Sequence, residues 1–451
     1  MTVRSGLLRA LTARTTGLDR VRRPADETGP AFDLAYVRVG PRNGAPPLVV
    51  VPGGPGLGSV VPYRSFRRRA ASLGHDVIMI EHRGVGLSRV DLTGRDLPMS
   101  AMWIRAVVDD IAAVLDRESV ESALLVGSSY GSYLASSFGA LHPDRVAAMV
   151  LDSALQSAAD IDVERRAVRS LFWDADTHIA ADIRRLHADG VGGRELLDVS
   201  RAVYELGGPE LLGPLLRAQV RRRGGVAWRT VETYASRGES IVHVPGVYEF
   251  DPVGAIGFRE LGYGAEADGL PLDPALTYAP LAPTFPTFEA EPMNLQSAAT
   301  GFTWPIVLLA GDRDLRTPPA IAERVASAAP DTTLVHIENG HSALETHPEA
   351  LLAVAGSLAA GTHTQLEQQA VELNRLPRRG LAARSPALLA AMVRAGLGDG
   401  GSITSPAASA EPAGAYPGRV WATEPNEATP PDVMSGGARR RDLRGVRRTP
   451  R

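Results

Sequence analysis

The chain has 451 residues, of which 44% are hydrophobic, so it can bury a large core in one α/β domain with an insertion or in two domains. Its formal net charge of −3 gives no general attraction to nucleic acid. Cysteine and lysine are both missing, which excludes disulfides, thiolate chemistry, cysteine-ligated metal sites, lysine Schiff bases and the P-loop lysine.

The first 30 residues read as an N-terminal extension in which arginines interrupt a weakly apolar sequence. The extension has no continuous apolar core of signal-peptide length. Elsewhere, no stretch approaches the roughly 18 to 20 consecutive apolar residues that a membrane-spanning helix needs. We therefore expect a soluble, cytoplasmic protein that has neither a membrane nor a nucleic acid as its partner.

The first predicted strand is Phe32–Val39, where apolar and polar residues alternate as in a half-exposed edge strand. The continuous apolar run PPLVVV at 46–51 predicts a buried strand that leads directly into the loop PGGPG at 52–56. Paired glycines after a strand can bring bare backbone N–H groups close to a reacting oxygen. A tight turn is the simpler interpretation of such a cluster.

Apolar residues at helical spacing predict helices over 63–73 and 102–115, with a strand at 76–80 between them. The turn EHRGVGLS follows that strand, and we assign no chemistry to its His82 or Arg83. Strands and helices alternate up to this point, which indicates a mostly parallel, doubly wound sheet.

The pentapeptide GSSYG at 127–131 lies between an apolar run and a helix-like segment of small residues. This succession predicts a strand, a sharp turn and a helix, with Ser129 held in a strained and exposed conformation. The Ser129 hydroxyl would then lie at a helix N-terminus, where free N–H groups and the helix dipole favour an oxyanion. The pattern also occurs by chance, so a small-residue helix start packed on a sheet is the alternative.

The succession VPGGPGLGS, EHRGVGLS and VGSSYGS resembles the α/β-hydrolase family, and within it the proline iminopeptidase-like serine aminopeptidases. That group usually reads HGGPG in the first loop and GGSWG at the elbow, where this chain has Pro52 and Tyr130. The resemblance covers roughly residues 32–360, apart from a middle segment that matches poorly. It implies an oxyanion hole made by the backbone N–H groups of Gly54 and Tyr130, and no cofactor or metal.

A further strand at 146–151 ends the first part of the predicted hydrolase core, which spans 31–153. The segment 154–300 lacks strand–helix alternation: it begins with amphipathic helices whose arginine-rich faces read as solvated surface, and prolines break its end. An insertion between two sheet strands predicts a mainly helical lid over the strand ends, where it would select substrates and exclude water.

The second part of the core is expected over 301–397, beginning with a strand at 306–310 and the turn GDRDLRTP. A carboxylate just past a strand end can hold the tautomer of a histidine, and Asp312 and Asp314 compete for that role. The resemblance favours Asp314, because the acid of that family is the fourth residue of this G-x-x-D turn. Asp312 would then bind backbone N–H groups of the turn.

A strand at 333–337 precedes His341, one of ten histidines. His341 completes the order Ser129, Asp314, His341 that this fold requires. A last helix is predicted within 345–360. Proline, glycine, serine and alanine dominate from 398 to 451, which predicts a disordered tail.

We interpret the chain as a serine hydrolase of the proline iminopeptidase type, which releases N-terminal residues from small peptides through an acyl-enzyme. Such an aminopeptidase must bind a free α-ammonium, and related iminopeptidases are expected to supply acids for this from the lid. The candidates are Glu232 and Glu260, for which surface glutamate is the alternative.

Two alternatives to this function remain. One is a carboxylic ester or lactone hydrolase with the same triad, and the other is a non-catalytic binding protein on a hydrolase scaffold. The serine at the elbow argues against the epoxide hydrolases and haloalkane dehalogenases of this fold, which place an aspartate there. The sequence does not indicate an oligomeric state.

Overall fold

The computed structural model describes residues 15–222, 224–235 and 243–379, together with positions 6, 10, 12, 387–389 and 391–392. The strands within these residues are β1 (Leu18–Arg23), β2 (Phe32–Val39), β3 (Leu48–Val51), β4 (Val77–Ile80), β5 (Ala123–Ser128), β6 (Val146–Asp152), β7 (His243–Val244), β8 (Tyr248–Glu249), β9 (Ile306–Gly311) and β10 (Thr332–Ile337). The α-helices are α1 (Arg64–Ser72), α2 (Ile104–Arg117), α3 (Tyr130–Leu141), α4 (Asp160–Phe172), α5 (His178–Ala188), α6 (Gly193–Val220), α7 (Gly225–Ala235), α8 (Phe250–Glu260), α9 (Leu295–Ala299), α10 (Pro319–Ala328), α11 (Ala343–Thr346), α12 (Pro348–Ala359) and α13 (Ala370–Arg375).

Eight of these strands form one sheet in the order β1-β2-β4-β3-β5-β6-β9-β10. The pairs β1–β2 and β2–β4 are antiparallel, and all the other neighbours in the sheet are parallel. The mostly parallel, doubly wound sheet predicted from the sequence is therefore confirmed. In a parallel arrangement the carboxyl ends of β5, β6 and β9 meet at one edge, which brings the loops that follow them together.

Side chains of the central strands point alternately to the two faces of the sheet, and each face has its own hydrophobic layer. Val49 and Leu125 point into the layer that also holds residues of α2 and α3. Val50 and Val126 point into the opposite layer, which α12 covers. Because both faces are buried, these strands read as continuous apolar runs, and their positions could be predicted.

The prediction that β2 is an edge strand is wrong, because β1 covers it. Pairing runs from Leu18 opposite Val37 to Arg23 opposite Phe32. The sequence LDRVRR of β1 lies in the predicted N-terminal extension and has little apolar alternation, so it gave no strand signal. Backbone pairing and the ion pair between Arg23 and Asp110, at 2.8 Å, hold this edge instead.

The residues between β6 and β9 form an inserted segment that contains α4–α9 and the two-stranded β7–β8 hairpin. Helices α4–α7 have a hydrophobic cluster of their own, which Leu315 joins from the loop after β9. The proline-rich end of the insertion forms two 3-10 turns, Pro274–Thr277 and Ala279–Thr284. The insertion is therefore packed on the core through the loop that carries Asp314.

Within the residues described above, no helix combines the length and the apolar character that crossing a membrane would require. Those residues all belong to one compact unit, Met1–Gly401. The tail predicted over 398–451 lies outside them.

Candidate active site

Ser129 lies at the sharp turn between β5 and α3, with φ 53° and ψ −122°. Two glycines make this turn sterically feasible. A Cβ on Gly127 would lie 2.3 Å from the carbonyl oxygen of Gly131, and a Cβ on Gly131 would lie 2.0 Å from that of Val51. The strained backbone at Ser129 is thus held by close packing of the helix on the sheet, as the sequence predicts.

The structure brings the three predicted triad residues together in hydrogen-bonding order. His341 Nε2 lies 3.0 Å from Ser129 Oγ, and His341 Nδ1 lies 3.0 and 3.1 Å from the two carboxylate oxygens of Asp314. The Thr317 hydroxyl donates to Asp314 Oδ2 at 2.8 Å, and the N–H groups of Arg316 and Thr317 donate to Oδ1 at 3.0 and 2.9 Å. This arrangement can pass the hydroxyl proton of Ser129 to the imidazole.

Electrostatics strengthen this arrangement. Burial lowers the pKa of His341, but the charge and hydrogen bond of Asp314 outweigh burial and raise the pKa above the usual histidine value. Burial likewise raises the pKa of Asp314, yet the charge of His341 and the surrounding hydrogen bonds bring it below its ordinary value. The pair therefore stabilises an imidazolium next to an ionised carboxylate. The competing acid Asp312 instead lies 3.5 Å from the imidazole of His336.

A second buried acid, Asp152 at the end of β6, fixes the segment that follows His341. Its carboxylate accepts hydrogen bonds from the N–H groups of Ala343 and Leu344 at 2.9 and 3.0 Å, and from the Ser128 hydroxyl at 2.7 Å. The neighbouring Ser153 and Ser342 both have positive φ, 52° and 61°, and the Ser342 N–H donates to Ser153 Oγ at 2.8 Å. Sequence reasoning missed this network, although an aspartate ending a buried strand was its visible signal.

The glycine loop lies against the candidate nucleophile. A Cβ on Gly53 would lie 3.2 Å from Ser129 Cβ, and the Tyr263 hydroxyl donates to the Gly54 carbonyl oxygen at 3.4 Å. Tyr130 begins α3, so its N–H has no acceptor within the helix. The glycine loop at Gly53 and the start of α3 therefore both border Ser129, and Gly54 and Tyr130 stay the predicted oxyanion-hole residues.

The two lid acids predicted from the sequence differ in their surroundings. Glu260 is buried, and its carboxylate accepts a hydrogen bond from the Ile104 N–H at 2.7 Å, which satisfies a free donor at the start of α2. Burial raises the pKa of Glu260 to about 7. Glu232 is half-buried on α7. Among the described residues, no hydrogen bond or ion pair joins either acid to Ser129 or His341, while the charge of Glu260 contributes to the raised pKa of Tyr130.

Two other acids of the insertion are each paired with an arginine and interact electrostatically with a triad residue. Glu205 on α6 lies 3.2 Å from Arg316, and its charge acts on His341. Glu164 on α4 lies 2.5 Å from Arg201, and the charges of Arg316 and Asp314 reach it. Burial raises the pKa of Glu164 to about 7, although the two arginines oppose this shift.

Sequence reasoning missed Glu164 because it interpreted the arginine-rich faces at the beginning of the insertion as solvated surface, and it did not single out Glu205. The signal for Glu205 was its spacing of three from the buried Ala202, which places a glutamate on the apolar face of α6.

A wall of aromatic side chains completes this region, with Tyr263 and Tyr278 stacked at 4.6 Å between ring centroids and Phe258 and Phe285 at 4.7 Å.

Comparison with known proteins agrees with this geometry. Residues 46–348 match the family described as alpha/beta hydrolase fold, which is more than half of the chain. The chain belongs to this family. The α/β-hydrolase fold class predicted from the sequence is therefore confirmed.

Individual relatives of this α/β hydrolase carry different names. It is 26% identical over 321 residues to a probable proline iminopeptidase of Streptomyces coelicolor, covering 70% of this chain and 88% of that one. It is 36% identical to epoxide hydrolase B of Mycobacterium tuberculosis, but over only 80 residues, 18% and 21% of the two chains. A crystal structure of the proline iminopeptidase of Mycobacterium smegmatis is similar with a TM-score of 0.44 and 16% identity, over 76% of this chain and 99% of that one.

Proposed function

We propose that this α/β hydrolase is a serine hydrolase whose nucleophile is Ser129. The observation that carries the proposal is the continuous chain of hydrogen bonds from the Ser129 hydroxyl through His341 to Asp314. Among known arrangements, a strained serine at a helix start with a carboxylate-oriented histidine is typical of acyl transfer.

In the proposed reaction His341 Nε2 takes the proton of Ser129 as Oγ forms a bond to the substrate carbonyl carbon. The carbonyl oxygen becomes an oxyanion, which the N–H groups of Tyr130 and Gly54 stabilise. The imidazolium then protonates the leaving group as the bond to that group breaks. Water, deprotonated by the same imidazole, attacks the acyl-enzyme and releases the acid together with free Ser129.

For the substrate we propose a small peptide with a free N-terminus, cleaved in the manner of a proline iminopeptidase. The similarity to a probable proline iminopeptidase over most of both chains supports this class. The assignment of Glu232 and Glu260 to the α-ammonium stays a prediction. Glu164 and Glu205 are further candidates, because both side chains are largely buried in the insertion, Glu205 lies against Gly340 next to His341, and a buried carboxylate makes strong hydrogen bonds to an ammonium.

One observation favours a second candidate, a hydrolase of carboxylic esters or lactones. Both Glu164 and Glu205 are already paired with arginines, so neither offers an uncompensated negative charge to an ammonium. A neutral ester would need no such charge, and the triad would act on it by the same steps.

A substrate panel separates the two candidates. Prolyl and alanyl arylamides are compared with short-chain 4-nitrophenyl esters, using the wild type and Ser129→Ala. We expect both substrate types to be cleaved with a preference for arylamides, and Ser129→Ala to lose at least about 1,000-fold in kcat. A fluorophosphonate probe that fails to label Ser129 would overturn the hydrolase proposal, and hydrolysis of esters alone would favour the second candidate.

The ammonium site is tested by Glu164→Gln, with Glu232→Gln and Glu260→Gln as matched variants. We expect Glu164→Gln to lower kcat/KM for prolyl arylamide about 10- to 100-fold while a neutral ester changes much less. A selective loss in Glu232→Gln or Glu260→Gln would support the assignment from the sequence instead. Equal losses on both substrates in all three variants would remove the ammonium site from the proposal.

A further inference from the structure

A segment that follows α12 packs against the loop that carries His341. We call residues 373–378 the strap segment; it comprises the second half of α13 and the residues directly after it. The segment holds Glu338 at both backbone polar groups: the Glu338 N–H donates to Asn374 Oδ1 at 2.9 Å, and the Glu338 carbonyl oxygen accepts from Arg378 Nη2 at 2.6 Å. Because Glu338 begins the turn that leads to His341, the strap segment fixes where the histidine loop starts.

The other terminal nitrogen of Arg378 reaches the next residue, Asn339, which is only 2% exposed. Arg378 Nη1 donates to Asn339 Oδ1 at 2.7 Å, and Asn339 Nδ2 donates to Thr346 Oγ1 at 2.7 Å. A guanidinium offers only donors, so it determines which end of the amide accepts and which end donates. The Thr346 hydroxyl in turn donates to the Ser342 carbonyl oxygen at 2.5 Å. Consecutive hydrogen bonds therefore run from Arg378 to the residue that directly follows His341.

The backbone of Asn339 also joins the histidine loop to the turn that carries Asp314. The Asn339 carbonyl oxygen accepts a hydrogen bond from the Arg313 N–H at 2.9 Å, and Arg313 directly precedes Asp314. A shift of Asn339 would therefore change the position of the triad acid together with that of His341.

We propose that Arg378 is a positioning residue for His341, which acts through the hydrogen bonds of Asn339 and Thr346. Hydrogen bonds from a guanidinium are stronger than those between neutral groups. Asn339 is buried, so losing its donor favours a movement of the loop that lets Oδ1 find another partner. A displacement of about 1 Å at a reacting group can lower a rate about 100-fold. The inference rests on the proposed serine hydrolase, in which His341 is the base.

The effect of Arg378 on catalysis is indirect. Among the described residues, its hydrogen bonds go to Asn339 and Glu338, and none goes to a member of the triad. Its loss should therefore lower kcat and leave substrate binding nearly unchanged. The strap segment also lies beyond residue 348, where the match to the hydrolase family ends.

Arg378→Met tests the proposal, because methionine keeps an apolar stem and removes every donor. The kinetic constants kcat and KM are measured with the ester or arylamide that the wild type cleaves best. We expect kcat to fall about 10-fold while KM changes less than about 2-fold. Arg378→Lys should recover part of kcat, because an ammonium can donate to Asn339 or Glu338 but lacks the planar fork.

Arg379→Met is the matched control. Arg379 is the neighbouring arginine and is exposed like Arg378, but its ion pair is with Glu349 on α12, at 3.1 Å. We expect Arg379→Met to keep the wild-type kcat. A wild-type kcat in Arg378→Met, a loss confined to KM, or an equal fall of kcat in both variants would overturn the proposal.

A double variant tests the route of the effect. Thr346→Val interrupts the same hydrogen bonds one step closer to His341 and keeps the shape of the side chain. If Arg378 acts through Thr346, the variant that combines Arg378→Met with Thr346→Val should lose less kcat than the product of the two single losses. Losses that multiply would overturn the route through Asn339 and Thr346.

Nuclear magnetic resonance of the His341 ring separates this inference from the proposed function. The Cε1 proton, assigned by its absence in His341→Ala, is titrated in the wild type and in Arg378→Met. A looser contact with Asp314 should lower the pKa of His341, whereas the loss of a positive charge alone would raise that pKa. Asp314, Arg316 and Glu205, whose charges act on His341, are unchanged in the variant.

If the wild type cleaves none of the substrates, the hydrolase proposal fails and the titration alone decides the inference. A His341 pKa that is lowered in Arg378→Met and unchanged in Arg379→Met would then support the positioning role. A His341 pKa that is unchanged or raised in Arg378→Met would overturn it.

Discussion

At the scale of single residues, the proposed chemistry depends on one electrostatic balance at His341. Burial alone would lower the pKa of the imidazole and make it a poor proton acceptor. Asp314, itself buried and ionised, reverses that effect through its charge and its hydrogen bond to Nδ1. His341 is therefore neutral, and able to act as a base, only at pH values above its own raised pKa. Its protonated form, which arises during turnover, is stabilised by Asp314.

Replacing Asp314 by asparagine tests this balance. Because the neutral His341 is the base, activity should fall as pH drops through its pKa, and this acid limb should lie above the usual histidine range near 6.5. We expect Asp314→Asn to lower kcat about 1,000-fold or more and to move the acid limb to lower pH. The measurement is the pH dependence of kcat/KM.

Asp312→Asn is the control for that experiment, because Asp312 lies next to His336 and outside the triad. It should leave both the rate and the position of the acid limb close to wild type. An acid limb that stays in place in Asp314→Asn would contradict the role given to Asp314.

At the scale of elements, the position of Ser129 depends on how closely α3 packs on the central strands. Gly127 and Gly131 allow this contact because they have no side chain. A Cβ at either position would lie 2.3 Å or less from a backbone oxygen. Real Cβ atoms do not approach so closely, so any side chain here would push the helix away from β3 and β5. The geometry of the nucleophile is thus a property of the strand–turn–helix unit as a whole.

We expect Gly131→Ala to destabilise the protein by about 3 kcal/mol, because the added methyl group would overlap the Val51 carbonyl oxygen. Urea unfolding of the wild type and the variant measures this difference. Gly193→Ala at the start of α6 is the control, since a Cβ there meets no atom within 4 Å and should change stability by less than about 1 kcal/mol. A Gly131→Ala variant as stable as the wild type would mean that the packing relaxes at little cost.

At the scale of the whole molecule, the contacts between the inserted segment and the core include the glycine loop and the loop that carries His341. The β7–β8 hairpin pairs with the glycine loop: the Gly58 N–H donates to Val247 O and the Glu249 N–H to Gly56 O, both at 2.9 Å. Helix α6 lies against the residue that precedes His341, where a Cβ on Gly340 would be 2.4 Å from the Glu205 carbonyl oxygen. We propose that the insertion acts as the lid and also positions these loops.

Gly340→Ala tests the second contact. The added methyl group should displace α6 or the His341 loop, and a shift of about 1 Å can cost about 100-fold in rate. We expect kcat/KM to fall at least about 10-fold for both esters and arylamides. Gly356→Ala on α12 is the control, because a Cβ there makes only an ordinary contact with His75 at 3.7 Å. Unchanged activity in Gly340→Ala would mean that the insertion does not position His341.

The sequence by itself determined the central strands, their order of appearance, and Ser129, Asp314 and His341 as the residues to examine. These are local properties: buried strands are continuously apolar, and the turns after them require glycines and short polar side chains. The structure then brought the three residues within hydrogen-bonding distance, in the order the sequence predicts.

Only the tertiary structure showed which acids of the insertion are buried and which arginines pair with Glu164 and Glu205. Glu232 and Glu260 were chosen from their sequence surroundings, while Glu164 belongs to a stretch that was interpreted as solvated surface and Glu205 was not singled out. Strand β1 was missed for the same reason, since its partner lies on another segment and its own residues are charged. Whether a charged side chain faces water or a buried partner depends on contacts between distant parts of the chain, and a local pattern does not contain that information.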